Sequence, residues 1–148
     1  MSRFPYSNFQ PFQIKYRGIS FPTVEHLYQA LKSVDPDDWT RIAALETAGE
    51  AKKAGRWLPL RPDWEEKKLG IMRVALEQKF APGTIYHKAL MASGDDEIVE
   101  RNTWHDNFFG SCTCSRCGGR GSNHLGRMLM EIRSKYQQEN LDEKTNLL

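Results

Sequence analysis

Near the start of the chain, apolar and polar side chains alternate. Phe12, Ile14 and Tyr16 stand against Gln13, Lys15 and Arg17, a period of two that predicts a short strand or hairpin turning at Gly18. The period then lengthens to that of a helix. Val24, Leu27, Tyr28 and Leu31 recur at i, i+3, i+4 and i+7 behind Thr23, whose hydroxyl suits an N-cap. Asp35-Pro36 predicts a second helix running to about Glu46, with Pro at the first helical position and Asp37 and Asp38 in the first turn. A short helix from Ala48 stops near Gly55. Asp63 and Glu66 have capping-box spacing ahead of what reads as the longest helix, with the stripe Leu69, Met72, Leu76 and Phe80 and a stop at Pro82-Gly83. Thr84 to Met91 predicts another short helix, closed by Ser93-Gly94, and residues 95–101 read as one or two further helical turns. Leu125, Met128, Leu129, Ile132 and Tyr136 mark a last long helix. The expected fold class is therefore mainly α, one helical domain over residues 1–138 with a small N-terminal β element. Residues 139–148 are expected to form a polar, frayed C-terminal tail.

The chain has 148 residues, the size of one ordinary domain, and a chain of that length buries roughly 70% of the surface it exposes unfolded. No disulfide staple is needed for such a core. The formal net charge of +2 is small and its basic residues are dispersed, so a phosphorylated small ligand fits as well as a polymer. The opening residues lack the apolar run of a signal peptide and no stretch is long enough to span a bilayer, so the expected location is cytoplasmic with no membrane partner. Cys112, Cys114 and Cys117 lie within six positions. An odd, crowded set is a poor disulfide framework and points to a reducing compartment, with either free thiols or a metal site.

Four segments carry candidate chemistry. Glu25, Gln29 and Lys32 fall at i, i+4 and i+7, one polar stripe on which a carboxylate and an amine can act as acid or base and as nucleophile. A solvated helix face with a weak ion-pair pattern gives the same spacing. The Gly118-Gly119-Arg120-Gly121-Ser122-Asn123 run leads into the last helix. There, free N–H groups and the Arg120 cation would attract phosphate, or a flexible loop would simply end in an Asn cap. Trp104-His105-Asp106-Asn107-Phe108-Phe109-Gly110 mixes proton-handling groups with aromatic faces that suit a base, or else anchors a core loop. The Cys114-x-x-Cys117 spacing with Cys112 suits zinc if His105 or His124 supplies a fourth ligand; reduced structural thiols are the alternative.

Several segments in order resemble one family. Phe4-Pro5-Tyr6-Ser7-Asn8-Phe9, then Phe21-Pro22-Thr23-Val24-Glu25-His26 with Tyr28-Gln29-Ala30-Leu31-Lys32, resemble the opening and central signature of the NADAR (YbiA-like) family. So do Ala51-Lys52-x-x-Gly55-Arg56, Leu60-Arg61-x-Asp63-Trp64-Glu65, Ala92-Ser93-Gly94-Asp95, Trp104-x-Asp106 and Gly121-x-Asn123-x-Leu125-Gly126. The Cys-x-Cys-x-x-Cys insert is similar to that of a common subtype, and Phe109 stands where many members carry Trp.

The resemblance implies a mainly helical N-glycosidase that needs no cofactor for its chemistry. Two substrate classes are implied: ADP-ribosylated guanine in nucleosides or nucleic acid, and the ribosylamino-pyrimidine phosphates of riboflavin biosynthesis. A non-catalytic ADP-ribose-binding module is a third reading, disfavoured because such a module has no use for Glu25, Lys32 and Asp106 together. In the catalytic readings Lys32, Glu25 and Asp106 do the chemistry, Lys32 through a Schiff base or, alternatively, Glu25 or Asp106 by activating water. Asn8, Gln29, Arg56, Arg120, Gly121 and Asn123 would hold ribose and phosphates, and Phe9 or Trp104 would stack on the base.

Overall fold

The computed structural model of the chain describes residues 4–146, which form two compact units, Pro5–Ala81 and a second built from Phe4 and residues 82–146. The chain is mainly helical, as its periodicities predict, with only short strands.

In the first unit, β1 (Ile14–Tyr16) and β2 (Ile19–Phe21) pair antiparallel, with Tyr16 opposite Ile19. The two connecting residues, Arg17 and Gly18, both have positive φ, 47° and 81°. That is the mirror-image turn whose twist matches a two-residue hairpin. Helix α1 (Val24–Ala30) follows at once, and all seven of its residues are buried. Thr23 caps it by accepting the His26 N–H. It packs against α2 (Pro36–Ala43), α3 (Ala48–Gly55) and α4 (Trp64–Lys79). A helix this short is marginal alone, so the surrounding helices hold it. Asp35 and Thr47 cap α2 and α3 with side-chain acceptors.

Three expectations about α4 are corrected. Asp63 occupies its N-cap position but makes no side-chain cap bond; Arg61 Nε takes the carboxylate instead, at 2.6 Å. The inward stripe is Met72, Ala75, Leu76, Lys79 and Phe80, while Leu69 is exposed. Nor is α4 the longest helix: it has 16 residues, against 23 in α6 (His124–Asn146).

The second unit holds α5 (Ile85–Ala92), β3 (Arg101–Asn102), β4 (Ser111–Cys112) and α6. Thr84 caps α5, and α5 packs on α6. Residues 95–100 are not helical, contrary to expectation. Arg133 holds this stretch by donating to Ser93 Oγ and to the Asp96 carbonyl, at 2.7 and 2.8 Å. It then enters β3, paired parallel with β4. The polar tail also differs from expectation: α6 continues to Asn146, with residues 138–146 exposed on every side. No helix among the described residues is long and apolar enough to cross a membrane.

Candidate functional site

In the first unit the buried helix α1 carries three polar side chains on its inner turns. His26 is spoken for structurally. Its Nε2–H donates to the Leu45 carbonyl at 3.0 Å and its Nδ1 meets the Thr23 hydroxyl at 2.7 Å. Burial above all lowers its pKa, so it is neutral and serves as a strut.

Glu25 and Gln29 face the other way. Gln29 Nε2 donates to Glu25 Oε1 at 2.8 Å, which fixes the amide so that its carbonyl points away from the carboxylate. That carbonyl, Gln29 Oε1, is buried without a hydrogen-bond partner among the described residues, and so is Asn8 Oδ1. The Glu25 backbone N–H donates to the Asn8 backbone carbonyl at 3.1 Å, which ties the Asn8 loop to the start of α1. An unsatisfied buried acceptor costs about 1–3 kcal/mol unless a donor reaches it, and Gln29 Oε1 is such an acceptor. Gly55 on α3 makes room for it: a Cβ there would overlap the Gln29 amide.

Lys32 lies two residues beyond the end of α1, its N–H bonded to the Gln29 carbonyl at 3.2 Å. It is half-buried, with its ammonium 5.9 Å from the Trp64 ring centroid. Its pKa falls below the ordinary lysine value, chiefly through burial; Glu25 opposes the drop, and Arg56 and Lys52 add to it. Glu25, Arg56 and Lys52 are thus the charges Lys32 feels. Lys52 also sits 5.9 Å from the ring of Phe9, which is exposed. The structure therefore brings together Asn8, Phe9, Gln29, Arg56, Glu25 and Lys32, to which Lys52 and Gly55 are additions.

The cavity of about 530 Å³ in this unit is elsewhere. It is lined by Tyr16, Leu27, Leu31, Arg61, Ile71 and Val74 among others. Leu27 points from the side of α1 opposite Glu25 and Gln29, so that cavity is not the one beside the Glu25–Gln29 pair.

Lys79 was not singled out by sequence, although it falls on the same stripe of α4 as Met72 and Leu76. It is fully buried, 0% exposed, and donates to the Ser7 carbonyl and to Gln10 Oε1, both at 2.8 Å. It thereby pins the loop that carries Asn8 and Phe9. Burial lowers its pKa from 10.5 to about 7. A pKa lowered on folding means the unfolded chain binds the proton more tightly between those values. Stability is then lost as pH falls from about 10.5 to about 7, by up to about 5 kcal/mol, and is flat below. Denaturant titrations at pH 7 and pH 9.5 should show the wild type gaining stability with pH relative to Lys79→Met. Parallel behaviour of the two proteins would contradict this account of Lys79.

The second unit holds the remaining candidates, and most of their polar atoms are committed. Asp106 Oδ1 accepts the N–H groups of Phe108 and Phe109, each at 3.0 Å. Asn123 is buried at a positive φ of 54°. Its amide donates to the Ile98 carbonyl at 2.9 Å and accepts the Glu100 N–H at 3.0 Å, tying residues 98–100 to the start of α6.

The expectation of free N–H groups at that helix start is not met. Ser122, Asn123, His124 and Leu125 donate to the carbonyls of Asn107, Gly110, Phe108 and Phe109 at 2.8, 3.0, 3.0 and 2.9 Å. Gly121 is a glycine for close packing, since a Cβ would strike the Gly110 carbonyl and Ser111. Arg120 and Trp104 are exposed. His105, also exposed, directs Nδ1 toward Cys112, Cys114 and Cys117. These four form a cluster that can hold a metal ion. Cys114 is pulled down to about 6, first by the Cys117 backbone N–H and then by the Cys112 thiol.

Comparison with known proteins bears on this geometry. Residues 1–137 match the model of the NADAR domain. The chain is 37% identical to an N-glycosidase of Nostoc punctiforme, over 89% of this chain and 85% of that one. It is 35% identical to N-glycosidase YbiA of Escherichia coli, over 88% and 79%. The solved structure of the E. coli protein superimposes with a TM-score of 0.77, covering 91% of this chain and 79% of that one. A riboflavin biosynthesis protein of Vibrio vulnificus is 33% identical over 89% of this chain but only 35% of its own length.

Proposed function

The chain belongs to the NADAR domain family, and from that premise we propose that it is an N-glycosidase that removes ADP-ribose from guanine, in nucleosides or nucleic acid. The observation that carries the reading is the cluster on α1. A half-buried amine with a lowered pKa shares its electrostatic surroundings with the Glu25 carboxylate; Gln29, bonded to that carboxylate, and Asn8 each bury a carbonyl oxygen that lacks a donor. Ribose hydroxyls are donors of the right kind for Asn8 Oδ1 and Gln29 Oε1. Arg56 and Lys52 supply positive charge for a diphosphate, and Phe9 offers a ring face to the base.

The chemistry follows from that placement. When the ribose ring opens, its anomeric carbon becomes an imine carbon, and neutral Lys32 adds to it. Glu25 carries the proton to the departing guanine nitrogen. Water then hydrolyses the lysine imine and frees ADP-ribose. Asp106, which keeps one carboxylate oxygen outside its turn bonds, is the candidate for a second acid–base or ribose contact. Trp104, Arg120, Gly121 and Asn123 remain proposed ligand contacts of the second unit; for Asn123 such a role competes with its backbone bridge. The alternative substrate is a ribosylamino-pyrimidine phosphate, favoured by the name of the Vibrio relative. Incubation with both substrates separates the readings. Release of ADP-ribose with restored guanosine supports the first, cleavage of the pyrimidine phosphate alone favours the second, and binding of ADP-ribose without turnover of either leaves a reader module.

A pH profile tests the charge environment. The attacking amine must be neutral, so kcat/KM climbs with pH and levels off below the ordinary lysine pKa. Arg56→Ala removes a cation that depresses the Lys32 pKa and should move the limb to higher pH; Glu25→Gln removes an anion that raises it and should move the limb lower. A limb that stays put in both variants would separate Lys32 from the reaction.

A further inference from the structure

We propose that His105, Cys112, Cys114 and Cys117 form a structural zinc site of the Cys3His type. His105 Nδ1 lies 3.7, 3.5 and 3.4 Å from the sulfurs of Cys112, Cys114 and Cys117. A tetrahedral zinc with Zn–S of about 2.3 Å and Zn–N of about 2.05 Å would set those edges at about 3.5 Å. All four ligand atoms lie within 4.8 Å of one another, against a sulfur–sulfur edge of about 3.8 Å in such a tetrahedron. A small contraction of the loop that follows Cys112 closes that difference.

Three further features belong to a metal knuckle. The Cys117 backbone N–H donates to Cys114 Sγ at 3.4 Å, the kind of bond that stabilises a ligating thiolate. Gly118 and Gly119 both take positive φ, 67° and 72°, and turn the chain so that their N–H groups reach the carbonyls of Cys114 and Cys112, each at 2.8 Å. His105 itself is held at a φ of 67°, uncommon for a residue other than glycine. That backbone swing carries its ring onto the sulfurs. The three cysteines are free thiols, not a disulfide. His124 is occupied differently, packed 4.5 Å from the Phe108 ring.

Three thiolates and an imidazole select zinc over hard cations such as magnesium. With four protein ligands no position is open to water or substrate, so the ion is structural and not a Lewis acid for the reaction. Its task is to clamp residues 105–117. That loop includes the carbonyls of Asn107 to Gly110 that receive the first N–H groups of α6, and the turn made by Asp106. The inference does not depend on the proposed substrate.

The test is metal analysis of the full chain, purified under reducing conditions with zinc in the growth medium and dialysed against metal-free buffer. About one zinc per chain is expected. Reconstitution with cobalt should give the intense visible bands of a tetrahedral thiolate site. His105→Ala and Cys114→Ser should lose both zinc and the cobalt bands, while His124→Ala keeps them. The wild-type stoichiometry stands even if a variant folds poorly. Less than about a tenth of an equivalent of zinc in reduced wild type, a Cys114–Cys117 disulfide under the same conditions, or zinc retained in His105→Ala would overturn the proposal.

Discussion

Lys32→Ala should lower turnover of ADP-ribosylated guanosine by about a thousandfold or more, while ADP-ribose still binds. A nucleophile that forms a covalent intermediate cannot be replaced by a methyl group, and water is a poor substitute at a site shaped for an amine. The substitution is mild for the fold. Lys32 lies beyond the last residue of α1, half-buried, and its backbone bonds to the Gln29 and Arg61 backbones do not involve its side chain. Thermal stability should therefore stay near the wild-type value. Lys32→Arg sharpens the result, because it keeps the charge and the contact with Trp64 but cannot form an imine. Loss in both variants points to nucleophilicity; rescue by Arg would reduce Lys32 to a binding cation.

Glu25→Ala should lower turnover by about a hundredfold or more, the usual contribution of a positioned acid or base. The cause is twofold. The proton carrier is gone, and Gln29 Nε2 loses the acceptor it holds at 2.8 Å. Glu25→Gln separates these by offering Gln29 a carbonyl while removing the titrating group. It should be nearly as inactive as the Ala variant but bind ligand better. Gly55→Ala reaches the same site from α3, because the added methyl group displaces the Gln29 amide. Its defect should appear more in KM than in kcat, as expected of a positioning residue. Near-normal turnover in Glu25→Ala would remove the carboxylate from the mechanism.

Much of the helical architecture was legible because short helices announce their starts. Thr23, Asp35 and Thr84, where helix starts were expected, all cap with side-chain oxygens; Thr47 does the same for the helix expected from Ala48. Arg17-Gly18 was legible as a turn only through its glycine; that Arg17 shares the left-handed conformation had no signal. Residues 95–101 were misread because two-residue strands show no periodicity and their order comes from Arg133 and Asn123, far away in sequence.

The stripe of Glu25, Gln29 and Lys32 was readable from helical spacing, but its burial was not. A seven-residue helix enclosed on all sides looks, in sequence, like an amphipathic one. The glycine run before α6 misled in the opposite sense. The N–H groups of residues 122–125, at the start of α6, are satisfied by carbonyls more than ten residues upstream, a long-range pairing that a local pattern cannot encode. Lys79 was legible in principle, as a charge on the same stripe as Met72 and Leu76, and its fixed contacts with Ser7 and Gln10 explain why it is there.

The most direct test of the Lys32 amine is reductive trapping. Protein mixed with ADP-ribosylated guanosine and borohydride should gain the mass of a reduced ADP-ribosyl adduct, and peptide mapping should locate it on Lys32. Sustained guanosine release with no trapped adduct, or an adduct that persists unchanged in Lys32→Ala, would contradict the account.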